Sequence, residues 1–141
     1  MDLSSLSASP FLPMVGWSAV LLAVHVMLQA FTTSAEAART LGASWNPGPR
    51  DVDFTPSGKI AGRAARASGN FRETYPAFVA LALALALKGD ASGWGIGGAW
   101  LWFACRIVYI PLYLAGVPYV RSLAWVGSML GLAAMFVALV S

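Results

Sequence analysis

Four apolar runs, each about as long as a helix must be to cross a bilayer, constrain this chain more than any other feature of its sequence. At 1.5 Å per residue, roughly 20 residues bridge about 30 Å of hydrocarbon. Such stretches run from about Met14 to Ala38, Asn70 to Leu87, Gly93 to Leu114 and Tyr119 to Val140. Lipid offers backbone groups no hydrogen-bond partners, so a spanning segment must be a helix or a strand in a closed barrel. Leu81 to Leu87 alternates strictly between Leu and Ala, which in water would suit a strand. Both residues are strong helix formers, and Ala lets helices approach closely, so the segment reads as helix. With 11% charged residues against roughly 25% in soluble domains, residues 1–141 form a single all-α integral membrane domain, an antiparallel four-helix bundle.

The connections differ in kind. Thr40 to Lys59 holds Asn46-Pro47-Gly48-Pro49, then Arg50, Asp51 and Asp53, then Pro56-Ser57-Gly58. Turn formers mixed with charge make a solvent loop, set at about residues 40–62. Lys88-Gly89-Asp90 and Ala115-Gly116-Val117-Pro118 are tight and require antiparallel neighbours. Arg39, Arg50, Lys59, Arg63, Arg66 and Arg72 flank the first connection and Arg121 the third, whereas Lys88 stands alone on the other side. Cytoplasmic flanks collect Lys and Arg, so the first and third connections are expected in the cytoplasm and both termini outside. Met1 to Pro13 carries Asp2 and no Lys or Arg, unlike a cleavable leader, so the first run is expected to remain. Cys105 is the only cysteine; it excludes an intrachain disulfide and is expected to fill a small core position. Nothing indicates nucleic-acid binding.

Within the spans, polar residues fall in stripes. At about 100° per residue, Arg66, Asn70 and Glu73 lie within about 60° of one another with Arg63 beside them, and Arg72 points nearly the opposite way. A carboxylate at mid-helix depth costs about 2.5–3.5 kcal/mol on insertion scales, so Glu73 calls for a cation or a wet cavity, and Arg66 is a candidate partner. In the third run, Arg106, Tyr109 and Tyr113 share a face, with Trp102 one turn earlier. A buried Arg has five donors and no acceptor, so Arg106 is expected to seek a carboxylate, either Glu73 or one on a ligand. The first run aligns His25, Gln29, Thr32, Glu36 and Arg39 within about 80°. His25 and Gln29 are expected to hydrogen-bond between helices, and Arg39 to reach a site at the cytoplasmic end. No His or carboxylate spacing supports a metal.

The stretch Arg63-Ala-Ala-Arg66-Ala-Ser-Gly-Asn70-Phe-Arg-Glu73-Thr-Tyr-Pro76-Ala-Phe78 resembles the second-helix signature of the MAPEG family, the membrane-associated proteins in eicosanoid and glutathione metabolism. Arg106-Ile-Val-Tyr109-Ile-Pro-Leu-Tyr113, followed by Arg121-Ser122, resembles the family's third helix and its catalytic arginine. The resemblance covers essentially the whole chain. It implies a homotrimer of four-helix subunits that binds glutathione between neighbours near the cytoplasmic surface. Carried over by position, Arg66, Asn70, Glu73, Arg106, Tyr109 and Tyr113 would hold glutathione, with Arg39 loosely aligned to help, and Arg121 would act on the thiol. Two positions depart from the pattern: Thr74 and Ser68 stand where leukotriene-forming members have tyrosine and glutamine.

The implied chemistry suits the residues. Glutathione brings two carboxylates, one ammonium and a thiol, and the chain offers several Arg and the carboxylate of Glu73. Arg121 keeps its proton at neutral pH, so it is suited to stabilise a thiolate and not to act as a base. The electrophile is then expected to enter from the lipid as an apolar molecule. Two other functions fit the same residues. One is a membrane protein that binds lipids or partners without turnover; the other is a small four-helix exporter.

Overall fold

The computed structural model describes residues 7–141, so part of the N-terminal stretch read above as unlike a leader lies outside the described residues. Four long helices follow: α1 Phe11–Thr40, α2 Lys59–Lys88, α3 Trp94–Ala115 and α4 Val120–Val140, with a 3-10 turn at Ala43–Trp45 in the first connection. No strand occurs among the described residues. α1 packs mainly on α2, and α3 mainly on α4.

α1, α3 and α4 are each long and apolar enough to cross a membrane. α2 is not among them by composition, although its second half was counted as a span from sequence. The reason lies in its first half, which carries Arg63, Arg66, Arg72 and Glu73. α2 also begins at Lys59 and not near Asn70, which shortens the first connection. Hydropathy misses these opening turns. What holds them is a stripe of small residues, Ala61, Ala64, Ala67 and Ser68, all buried at helical spacing.

The start of α2 has no cap from its own side chains. Glu36 of α1 supplies one from a distance, its Oε1 accepting from the Gly58 N–H at 2.7 Å and the Ser57 N–H at 3.1 Å. A carboxylate at this end also complements the helix dipole. At the opposite end of the bundle the Lys88 ammonium donates to the Leu139 carbonyl at 2.8 Å. There Asp90 caps α3, with Oδ2 accepting from the Ile96 N–H at 2.8 Å and Oδ1 from the Gly93 N–H at 3.0 Å.

Burial raises the Asp90 pKa, but hydrogen bonds from Ile96, Ser92, Gly95 and Gly93 lower it by more, and the net shift is downward. A depressed carboxylate stabilises the fold above its unfolded-state pKa and loses that contribution as pH falls through the folded value. Asp90→Ala is therefore expected to cost about 1 kcal/mol near neutral pH. Thermal midpoints of wild type and variant should begin to converge near pH 4, where the unfolded carboxyl titrates, and meet only below the lower folded value.

The core is an aromatic column. Phe78 stacks on Trp102 at 3.8 Å, Phe71 lies 5.6 Å from Trp102, and His25 packs on Phe71 at 4.4 Å. His25 does not make the interhelical hydrogen bond expected of it: its buried Nε2 has no partner. Its ring serves as a flat filler against Phe71. Cys105 is half-buried, its Sγ 2.8 Å from where a Cβ on Gly127 would lie. The outer surface is apolar, with Trp17, Phe31, Trp100, Leu130 and Phe136 all exposed, which is the pattern of a lipid-facing wall. The chain is an integral membrane protein.

Candidate functional site

Arg106 is completely buried, placed by its position one turn beyond the Trp102 anchor of α3. Its Nη1 donates to Asn70 Oδ1 at 2.8 Å and its Nη2 to Thr74 Oγ1 at 2.7 Å. The guanidinium also lies 5.6 Å from the Tyr109 ring and 6.0 Å from those of Phe71 and Trp102. Glu73, one of the two carboxylate sources expected from sequence, does not pair with it, because it points away from the core and is exposed. Asn70 and Thr74 lie one turn apart on α2, so the two acceptors meet the two arms of one planar fork. The Nε of Arg106 is left without a partner.

In front of this anchor is a cavity of 240 Å³ lined by Asn70, Tyr109, Tyr113, Arg121, Ser122 and Trp125. The Arg121 guanidinium lies 4.8 Å from the centre of the Tyr113 ring, and Tyr113 lies 5.2 Å from Tyr109. Arg121 stands in the first turn of α4, so the positive end of that helix dipole adds to its charge. A half-buried arginine, two phenols and an amide around a small cavity form an environment for an anion.

Four of the residues singled out from sequence, Asn70, Tyr109, Tyr113 and Arg121, thus meet in one cavity. Arg106 stands behind them and orients Asn70. Arg66 and Glu73 are exposed outside the cavity. They form no ion pair with each other; the Arg66 Nη1 instead lies 3.3 Å from where a Cβ on Gly62 would be. Arg39 lines a different cavity, of 470 Å³, beside Thr32, Glu36 and Lys59.

Several contributors acquire their roles only in three dimensions. Ser122 and Trp125 line the cavity; the spacing of Trp125, four residues from Arg121, is the signal that could have found it, and Ser122, about 100° round the helix, has none. Thr74 had been noted only as a departure. Arg63 donates from Nη1 to the Leu114 carbonyl at 2.7 Å, tying α2 to the last turn of α3 beneath Tyr113.

The family model for MAPEG matches residues 14–141. The chain belongs to the MAPEG family. This places it among membrane proteins of glutathione and eicosanoid metabolism, and the four-helix architecture agrees with that membership. No curated protein and no solved structure matches the chain. In this MAPEG protein, the polar groups of α2, α3 and α4 converge at the level where α4 begins.

Proposed function

We propose that this MAPEG protein is a membrane-bound, glutathione-dependent transferase or peroxidase acting on lipophilic electrophiles, with the glutathione thiolate stabilised by Arg121. The observation that carries the reading is the single cavity shared by Arg121, Tyr113, Tyr109 and Asn70. A guanidinium offers donors and no acceptor, so the thiol proton passes to water and the sulfur stays as thiolate beside Arg121. Lowering a thiol pKa by about two units takes about 2.7 kcal/mol of differential stabilisation. One guanidinium at a helix N-terminus in a partly dry cavity is of the right order. In the transfer reaction the sulfur forms a bond to an electrophilic carbon, whose leaving group departs with the electron pair. The apolar surface of the bundle suits substrates that partition into the bilayer.

A homotrimer is part of this reading. Arg66, Glu73 and Arg39 are exposed outside the cavity, and a boundary between subunits would let them meet a ligand that extends from it. Glu73 would receive the glutathione ammonium, and Arg66 and Arg39 its carboxylates through charge-assisted pairs. Arg106 acts as a positioning residue through Asn70. The concentration of Lys and Arg at this end of the bundle supports a cytoplasmic site, with both termini outside.

Mixing the purified protein with glutathione should produce the near-ultraviolet absorbance of a thiolate, and Arg121→Ala should abolish it. A wild type that binds no glutathione ends the enzyme reading. Binding without turnover, indifferent to Arg121→Ala, would instead make the protein a non-catalytic binder on the same scaffold.

A further inference from the structure

A second cavity, of 340 Å³, shares no residue with the one at Arg121 and lies between α1, the first connection and α2. Arg50 and Arg72 supply two cations to its wall. Among the described residues, no carboxylate lines the cavity beside either guanidinium. Arg50 donates from Nε and Nη2 to the Asn46 carbonyl at 3.3 and 3.2 Å and lies 5.2 Å from the Trp45 ring. The Arg72 Nε donates to the Ser68 carbonyl at 3.4 Å, which turns the side chain back along α2 towards the connection. Carbonyls and an aromatic face hold these groups in place without cancelling their charge.

Thr33 also lines this cavity, and its Oγ1 is buried with no hydrogen-bond partner. An orphaned hydroxyl beside two guanidiniums is the donor set of a phosphate site. The other end of the same wall is apolar, formed by Val26 and Ala30. From there α1 continues outward with exposed Met27 and Phe31. Thr33 and Ser34 stand within the last two turns of α1, and Trp45 and Arg50 stand just beyond it. This level, with an indole beside it, is where headgroups meet the hydrocarbon.

We propose that this cavity binds the phosphate of an anionic phospholipid, with Arg50, Arg72 and Thr33 on the headgroup and Val26 and Ala30 against the start of the acyl chains. The apolar end favours a lipid over free phosphate, which would leave that wall without a partner. Arg72, which the glutathione reading leaves unused, acquires a role here, and the proposal stands independently of that reading.

Native mass spectrometry of the intact protein, titrated with phosphatidylglycerol or phosphatidylcholine, tests it. Wild type should prefer phosphatidylglycerol by about tenfold or more, since phosphatidylcholine offers the same phosphate but sets a quaternary ammonium beside two guanidiniums, a like-charge repulsion on that scale. The double variant Arg50→Gln/Arg72→Gln should lose the preference, and each single variant should lose part of it. Lys59→Gln, which removes a charge from the neighbouring cavity, should retain it. Unchanged thermal midpoints establish that the variants are folded, and the single variants decide the matter if the double one is not. No preference in wild type, or a preference surviving in the Arg variants, overturns the proposal. Displacement of the lipid by an equal concentration of inorganic phosphate overturns it too, since that would make the cavity a free-anion site.

Discussion

Asn70→Leu combined with Thr74→Val is expected to destabilise the protein by about 3–5 kcal/mol, the cost of leaving a buried charge without partners. Both side chains accept from Arg106, at 2.8 and 2.7 Å, and no carboxylate takes their place. Arg106→Leu alone should cost less. It removes the charge and leaves two neutral acceptors, of which Asn70 opens onto the cavity and can pair with water, so the cost reduces to about 1–3 kcal/mol for Thr74. The decisive variant carries all three changes. With the cation and both acceptors gone, it should recover much of the stability lost in the double variant, as replacement of buried ionic groups by apolar ones commonly does. Thermal or denaturant unfolding in detergent measures all three. If the triple variant is no more stable than the double, shape and not charge governs this part of the core.

The second large effect separates two adjacent glycines of α3. A Cβ on Gly98 would lie 2.5 Å from the Gly131 carbonyl oxygen and 3.0 Å from the Met135 nitrogen, whereas one on Gly97 meets nothing within 4 Å. The contact is reciprocal, since a Cβ on Gly131 would lie 2.6 Å from the Gly98 carbonyl oxygen. Backbone here touches backbone, so no side chain can move aside and α3 must separate from α4. Gly98→Ala is expected to cost about 1–3 kcal/mol through overpacking, despite its gain in helix propensity. Gly97→Ala should show that gain alone, about 0.5–1 kcal/mol of stabilisation. Opposite shifts in thermal midpoint at neighbouring positions would locate the contact, and parallel shifts would refute it.

Much of this was legible along the chain because it depends on neighbours a few residues apart. Span length, the polar faces of three runs and the tight connections follow from hydropathy and helical period alone. So did the grouping of Tyr109 with Tyr113, which share a face whatever they touch. The start of α2 was not legible. Its opening turns are held by buried Ala61, Ala64 and Ala67, and alanine at a helix contact leaves no mark in a hydropathy profile. Arg63 was seen beside the stripe, but its bond to the Leu114 carbonyl joins residues that only packing brings together.

The partner of Arg106 was likewise decided in three dimensions. Sequence requires an acceptor for a buried guanidinium, yet Asn70, Glu73 and Thr74 all lie within about one turn of α2 and any could have served. Which of them faces α3 depends on how α2 is rotated about its axis, and that rotation is set by the buried stripe running through Ala64, Ala67 and Phe71. With that stripe inward, Asn70 and Thr74 meet the fork and Glu73 is left outside. On the same face, the Arg66 guanidinium turns back towards Gly62 and stays outside the cavity that Asn70 lines, and the turn between α3 and α4 brings Arg121 to Tyr113. Residue types and helical period thus specified which groups needed partners, while close packing of small residues chose among them, because a helix can turn only as far as the side chains beneath it allow.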